Sequence, residues 1–269
     1  MNMEQAPPVI TLTTDFGLTD PYVGLLKGAL LKGCPFATLV DITHAVPTWN
    51  VLAAALSLHT SYRYFPVGTV HLVVVDPGVG SRRSILAAQG ERQCFVCPDN
   101  GILSFLLAEG SIQAVHRVEE GGSTQNISPT FHGRDIMAPV AAALARGAGL
   151  ETFGPALGLS SLELIDLPQP QSVNGGLRGQ VLSVDHFGNV RTSLRAGKEF
   201  SNPCAFSAVE IKGHRISMIV ASYSEAPVGD LLVLIDSSGF LEIAANQANA
   251  AALIGCGPGD LLTLEFLEK

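Results

Sequence analysis

Short apolar runs alternate with longer amphipathic segments over the first two-thirds of the chain. Runs rich in β-branched residues predict strands at 9–14, 37–43 and 68–76. Apolar residues at helical spacing predict helices at 22–33 and 51–65. Because strands and helices alternate in this order, we predict an α/β domain with a mostly parallel central sheet, where ligands bind beyond the carboxyl ends of the strands.

The pattern changes at the segment IDLPQPQSVNGG, 165–176, where prolines and glycines interrupt regular structure. Beyond it, short runs of alternating apolar and polar residues are separated by Gly and Asp turns, which is typical of a small antiparallel sheet or barrel. We therefore expect two domains, an N-terminal α/β domain at 1–168 and a C-terminal antiparallel β-barrel domain at 175–269.

Composition and charge narrow the classes of partner. Hydrophobic residues make up 47% of the 269 residues and charged ones 15%, which favours close packing and a homo-oligomer. The net charge of −8 and the absence of basic runs longer than a doublet argue against nucleic-acid binding. No signal-peptide pattern and no long apolar segment is evident, so we expect a soluble cytoplasmic protein without membrane contact.

The five cysteines, at 34, 94, 97, 204 and 256, are odd in number and do not fit a disulfide framework. We expect reduced thiols. Cys94 and Cys97 have C-x-x-C spacing, but no second pair or His cluster accompanies them, and zinc needs four ligands. A structural role on a strand is therefore favoured, and no metal site is predicted.

Four aspartates fall at strand ends: Asp15, Asp41, Asp76 and Asp185. Each could cap a helix or a turn, and this interpretation is favoured for Asp41. For Asp15 and Asp76, a glycine two residues later would let the backbone approach a ligand, which favours a functional role.

The stretch FHGRD, at 131–135, stands directly before a predicted helix, 135–147. Its Asp135 could simply cap that helix, but a His at a helix start can titrate near neutrality. Together with Asp76 and an arginine from VVVDPGVGSRRS, His132 could form a cluster that binds and polarises a water molecule. Motifs of P-loop ATPases, Rossmann dehydrogenases, zincins and α/β-hydrolases are absent from the sequence.

Seven segments, in order along nearly the whole chain, resemble the S-adenosyl-L-methionine (SAM) hydroxide adenosyltransferases, or SAM hydrolases, which are related to fluorinase and chlorinase. They are TTDFGLTDPYVGLLKG, DITHAVPTWNV, YFPVGTVHLVVVDPGVGSRR, PDNGIL, FHGRD, VDHFGNVRT and SSGFLEIAAN. The resemblance implies an N-terminal α/β domain, a C-terminal β-barrel and a homotrimer that holds substrate between the N-domain of one subunit and the C-domain of its neighbour.

The resemblance also implies a reaction, in which water or hydroxide displaces methionine at the ribose C5′ of SAM and releases adenosine, without metal or cofactor. The family's catalytic Asp, Arg and His match Asp76, Arg83 and His132, and Arg83 rather than Arg82 has the family's spacing from the aspartate. Which of the three is the base stays open.

Binding residues are implied in the same way. Asp15 matches the acid at the ribose hydroxyls, and Trp49 matches an aromatic of the ribose region. Phe187 and Asn189 match groups around adenine. Asp185 matches the acid near the methionine amino group, and Ser237 matches a serine at the methionine carboxylate. Two alternatives stay open. One is a non-catalytic module that binds adenosine or SAM. The other is a halogenase, which Asp76 and His132 disfavour because halogenases carry other residues there.

Overall fold

A computed structural model of the chain describes residues 6–119, 127–200 and 206–267. The chain divides into two compact units, Met1–Asp166 and Leu167–Lys269, each with its own apolar core. Within the described ranges, no helix combines the length and the apolar character needed to cross a membrane.

In its described residues, 6–119 and 127–166, the first unit contains seven strands and four α-helices. The strands are β1 Val9–Thr14, β2 Thr38–Thr43, β3 Val70–Val74, β4 Ile85–Gly90, β5 Cys94–Pro98, β6 Ile112–Arg117 and β7 Ala156–Leu157. The helices are α1 Tyr22–Gly33, α2 Val51–Ser61, α3 Ser104–Ala108 and α4 Ala138–Ala145. The predicted strands and helices of the first 76 residues are all present, with bounds that differ by a few residues.

The strands of the first unit form one mixed sheet in the order β2-β1-β3-β5-β4-β6-β7. The pairs β1–β2, β1–β3 and β3–β5 are parallel, whereas β4–β5, β4–β6 and β6–β7 are antiparallel. The α/β class is confirmed, but only half of the sheet is parallel. The reason is chain length: residues 91–93 alone join β4 to β5, and a parallel pair needs a crossover of about a dozen residues.

Helices α1 and α4 pack together because small residues let them approach closely. A Cβ added to Gly33 at the end of α1 would lie 2.7 Å from Cβ of Ala142 on α4. On the α1 side, Val23, Leu26 and Leu30 are buried. Buried residues of both helices share one apolar core with Ile10 of β1 and Leu72 of β3, so the pair packs on the parallel part of the sheet.

The second unit is an antiparallel barrel with one short helix. Its strands are β8 Gln171–Val173, β9 Gly176–Val184, β10 Val190–Arg195, β11 Phe206–Ile211, β12 His214–Ile216, β13 Leu231–Ile235, β14 Phe240–Ala245 and β15 Leu261–Phe266, and its helix is α5 Ala250–Ile254. The strand order is β12-β11-β15-β9-β10-β14-β13, with β8 added beside β9. Val233 on β13 donates to Met218 O at 2.8 Å, so the segment after β12 nearly closes the barrel. The predicted antiparallel barrel is confirmed.

Four cysteines lie within the described ranges, Cys34, Cys94, Cys97 and Cys256, and all four are free thiols. Cys204 lies outside those ranges. Cys94 and Cys97 are both on β5, and burial raises the pKa of each thiol above its ordinary value. Such thiols are poor nucleophiles and poor metal ligands, which agrees with a structural role for the C-x-x-C pair.

Candidate active site

The carboxyl ends of β1 and β3 border a cavity of about 260 Å³ in the first unit. Asp15 directly follows β1, and Asp76 lies two residues beyond β3. Because the two strands are parallel neighbours, their carboxyl ends lie side by side. The cavity is lined by Asp15, Phe16, Tyr22, Thr48, Trp49, Val74, Asp76, Val79, Thr130, Phe131, His132 and Gly133.

Asp76, Arg83 and His132 are in direct contact at this cavity. Nε of Arg83 donates to both carboxylate oxygens of Asp76, at 2.7 and 2.8 Å, and Nη2 of the same guanidinium also contacts Oδ2. Nη2 lies 3.1 Å from Nδ1 of His132. The side chains of Asp76 and Arg83 are 6% and 10% exposed, and His132 is buried as well. The structure therefore brings together the three residues that the sequence placed in one cluster.

The contact with Arg83 determines which ring nitrogen of neutral His132 carries the hydrogen. A guanidinium carries only donors, so Nδ1 of His132 is the acceptor in this contact. In the neutral ring the hydrogen is then on Nε2. Asp76 accepts charge-assisted hydrogen bonds on both oxygens, which keeps its carboxylate in one orientation.

Two glycines allow the cluster to close. Gly80, between Asp76 and Arg83, has a φ of 78°, and a Cβ there would lie 2.6 Å from the carbonyl oxygen of Pro129. A Cβ on Gly133 would lie 2.8 Å from Val74 at the end of β3. Gly80 thus lets its loop pack against Pro129, and Gly133 lets the turn after His132 pack against the end of β3. The sequence-based interpretation concerned Gly17 and Gly78 and did not include these two glycines.

His132 precedes a single π-helical turn, Gly133–Met137, that leads into α4. Such turns occur often at functional sites. Asp135 accepts from the backbone N–H of Ser128 at 2.9 Å and pairs with Arg134 at 2.6 Å. Asp135 therefore ties the turn to the loop before it, in place of the helix cap considered from sequence.

The turn PDNG holds both ends of the loop that carries Asp76 and Arg83. Nδ2 of Asn100 donates to the carbonyl oxygen of Val75 at 2.9 Å, and the backbone N–H of Asp99 donates to Ser84 O at 2.9 Å. The support that this segment gives was not predicted from the sequence, where PDNGIL contributed only to the resemblance. The signal available was an Asn-Gly turn directly after a buried strand.

Asp15 and Trp49 meet at the other side of the cavity. The backbone N–H of Trp49 donates to Oδ2 of Asp15 at 2.9 Å. Trp49 has a φ of 64°, which is strained for a non-glycine residue, and it is 70% exposed. A large exposed aromatic held in a strained backbone beside a carboxylate is the kind of feature that serves a ligand rather than the core.

Three aromatic residues missed by the sequence analysis form the wall beside them. The rings of Phe16, Tyr22 and Phe131 pack edge to face with centroid distances of 5.7 to 5.9 Å. All three line the cavity. Phe16 and Tyr22 lie in the segment TTDFGLTDPYVGLLKG and Phe131 lies in FHGRD, so the available signal was an aromatic residue within these segments.

Asp41 does not line this cavity among the residues described. Its carboxylate accepts a hydrogen bond from Lys27 at 2.7 Å and lies 3.2 Å from His44. Burial tends to raise the pKa of Asp41, but the hydrogen bonds and charges of Lys27 and His44 outweigh burial and lower it. A structural role was predicted, and Asp41 fills it as an ion-pair partner within β2 rather than as a turn cap.

The second unit has a pocket of about 730 Å³ that includes three of the predicted binding residues. Its lining consists of Asp185, Phe187, Asn189, Tyr223, Ala245, Asn246, Gln247, Ala248 and Asn249. Oδ1 of Asp185 accepts from the backbone N–H groups of Phe187 and Asn189, at 2.9 and 2.8 Å, and Oδ2 accepts from Nδ2 of Asn189 at 3.0 Å. Asp185 thereby orders the loop, and the ring of Phe187 is left 74% exposed.

Ser237 lies in the turn between β13 and β14 and is exposed. The neighbouring Asp236 orders this turn by accepting from the N–H groups of Ser238 and Phe240 at 2.8 and 2.9 Å. Within the described ranges, Ser237 is not among the residues that line the pocket around Asp185. The structure thus groups Asp185, Phe187 and Asn189 but not Ser237.

Across the described ranges, no three His, Cys, Asp or Glu side chains are grouped so that they could hold a metal ion.

The sequence matches two family models over most of its length. The SAM hydroxide adenosyltransferase N-terminal domain matches residues 10–154, and the SAM hydroxide adenosyltransferase C-terminal domain matches residues 179–263. The chain belongs to the SAM hydroxide adenosyltransferase family. The resemblance found in the sequence is thereby confirmed.

Relatives within this family are similar to the chain from end to end. A protein named (R)-S-adenosyl-L-methionine hydrolase from Salinispora tropica is 40% identical over 95% of this chain and 97% of its own length. The protein of the same name from Salinispora arenicola is 38% identical with the same coverage. A crystal structure of an uncharacterized conserved protein from Thermotoga maritima has 36% identity and a TM-score of 0.88, covering 95% of this chain and 99% of that one.

Proposed function

We propose that this SAM hydroxide adenosyltransferase hydrolyses SAM to adenosine and L-methionine. The observation that carries the proposal is the contact of Asp76, Arg83 and His132 at a cavity beyond parallel strands. The relatives named (R)-S-adenosyl-L-methionine hydrolase, at 38–40% identity over 95% of this chain, support the choice of substrate.

The proposed reaction is an in-line displacement at the ribose C5′. A water oxygen forms a bond to C5′ while the bond from C5′ to the sulfonium sulfur breaks, and its electron pair stays on sulfur as a neutral thioether. The proton of the water passes to a base of the site. Because the leaving group departs neutral, no general acid is needed for it.

The difficulty of this reaction lies with the nucleophile, since bulk water has a pKa of about 15.7. Arg83 is placed to stabilise developing hydroxide. Asp76 can accept the proton on a remaining carboxylate lone pair, and His132 can accept it at Nδ1 once that nitrogen is released from Arg83. Attack of an anionic oxygen on a cationic sulfonium removes charge, so a buried site favours the transition state over solvated reactants. Holding the water about 3 to 3.5 Å from C5′ lowers the barrier further.

We propose the binding residues that the resemblance implies, all of which except Ser237 line one of the two pockets. In the first unit we propose Asp15 for the ribose hydroxyls and Trp49 for the ribose face. In the second we propose Asp185 for the methionine amino group and Phe187 and Asn189 for adenine. Ser237 is proposed for the methionine carboxylate. An exposed aromatic beside a carboxylate in each pocket supports the assignment, because SAM carries ring, hydroxyl and ammonium groups.

We further propose that the protein needs no resident cofactor or metal and that it is cytoplasmic. We also propose a homotrimer in which the pockets of neighbouring subunits bind one substrate molecule. The four free thiols among the described residues support a reducing compartment. Light scattering on the purified protein measures the oligomeric state, and a monomer would contradict the trimer.

A direct assay tests the function. Purified protein is incubated with SAM, and the products are separated by chromatography. We expect equal amounts of adenosine and methionine, unchanged when chloride or fluoride is added. Binding of SAM without turnover would identify a binding module, and formation of a 5′-halo-5′-deoxyadenosine would identify a halogenase.

A further inference from the structure

A buried carboxylate lies behind the second unit's pocket. Glu242 on β14 is 4% exposed. Tyr223, which lines the pocket, donates its hydroxyl hydrogen to Oε1 of Glu242 at 2.8 Å. Tyr223 itself is 43% exposed, so it connects the pocket surface to a buried acid on β14.

This acid is unfavourable where it stands. Burial raises the pKa of Glu242 and the charges of Asp236 and Asp185 raise it further, while the hydrogen bond from Tyr223 opposes this rise. Arg191, whose charge opposes that effect, donates its Nε–H to Asp236 at 2.6 Å. An apolar residue could fill the same place on a barrel strand without this cost. The hydrogen bond from Tyr223 ties this buried acid to the lining of the pocket.

We propose that Glu242 is a positioning residue for ligand binding, which fixes the orientation of Tyr223 through the hydrogen bond between them. This inference rests on the proposed function and adds to it a residue that does not touch the substrate. Tyr223 starts a short helical turn, Tyr223–Glu225, on the loop between β12 and β13. Because the ring of Tyr223 is already fixed before the ligand arrives, less conformational entropy is lost on binding.

We expect the pair of Glu242 and Tyr223 to affect substrate binding and not the chemical step. Its loss should therefore change KM and leave kcat nearly unchanged. For SAM, Glu242→Ala and Tyr223→Phe should each raise KM about 5- to 10-fold, the scale of one hydrogen bond, with kcat within about 2-fold of wild type. Glu242→Gln should stay within about 2-fold in KM, since an amide oxygen still accepts from Tyr223. The double variant Glu242→Ala/Tyr223→Phe should be no worse than either single variant, because both remove the same bond.

Glu210→Gln is the matched control, since Glu210 is an exposed glutamate on β11 of the same unit and should leave KM unchanged. Thermal melts of every variant show whether it folds. The proposal is overturned if folded Glu242→Ala keeps the wild-type KM, if Glu242→Gln is as impaired as Glu242→Ala, or if the two single effects add.

Failure of the proposed function would be visible separately, as wild-type protein that forms no adenosine. In that case calorimetry with adenosine as the probe decides about Glu242 by itself. Weaker adenosine binding by Glu242→Ala but not by Glu242→Gln would support positioning, and equal binding by all variants would refute it.

Discussion

The pockets of the two units use their carboxylates in opposite ways. In the first unit the carboxylate of Asp76 is matched by the guanidinium of Arg83, which also reaches His132. In the second, Asp185 is bound by the neutral N–H groups of its own loop and of Asn189. A carboxylate matched to a guanidinium and an imidazole can be aligned for proton transfer, whereas a carboxylate held by neutral N–H groups can attract a cation. We infer that the first pocket serves the chemical step and the second serves recognition.

The largest expected effect comes from breaking the matched cluster. Asp76→Ala, Arg83→Ala and His132→Ala should each lower kcat by more than about 100-fold while SAM still binds, because each removes a group that readies the nucleophile. Single-turnover kinetics and equilibrium binding of SAM measure the two properties separately. Three variants with full activity would contradict the assignment of the first pocket to chemistry.

The next effect concerns how the cluster is held. Gly80→Ala should lower kcat by about 10- to 100-fold, since the added Cβ meets the carbonyl oxygen of Pro129 and shifts the loop that carries Asp76 and Arg83. Gly68→Ala is the control for backbone strain alone, because Gly68 has a φ of 84° with no atom within 4 Å of its added Cβ. Equal kcat values for the two variants would show that the close packing at Gly80 does not matter for catalysis.

A smaller effect is expected in the second pocket. Phe187→Ala should raise KM for SAM about 10-fold and change kcat by less than about 3-fold, since an exposed aromatic contributes about 1 to 3 kcal/mol to stacking with a base. Steady-state kinetics on the variant gives both parameters. A decrease in kcat with an unchanged KM would mean that the second pocket contributes to the chemical step and not to recognition.

Substitution of a histidine in the core of the first unit should affect the two pockets least and change stability instead. Burial lowers the pKa of His71 to about 4 from 6.5, so the folded protein keeps this ring neutral. Its contribution to stability is present above pH 6.5 and is lost as pH falls toward 4, up to about 3 kcal/mol. Urea unfolding across this range measures the loss, and His71→Phe should flatten it. An equally steep loss in the variant would mean that another group is responsible.

Local patterns predicted much of this fold because the elements that matter are strongly patterned. The alternation from β1 to β3 fixed the parallel strands, and with them the edge at which Asp15 and Asp76 meet. The antiparallel half was not foreseen, because periodicity locates a strand such as β4 but does not give its direction. In the site, the resemblance gave the residues of the cluster. Three residues were missed because their effects depend on contacts distant in sequence. These contacts are Asn100 with Val75, Gly80 with Pro129, and Glu242 with Tyr223.

The origin of one oxygen atom tests the central claim most directly. In water labelled with heavy oxygen, attack at C5′ must place the label in the 5′-hydroxyl of adenosine, while methionine stays unlabelled. Mass spectrometry of the two products after a single turnover reads this out. We predict labelled adenosine and unlabelled methionine. Adenosine without the label would show that water does not enter at C5′, and the function assigned to Asp76, Arg83 and His132 would be wrong.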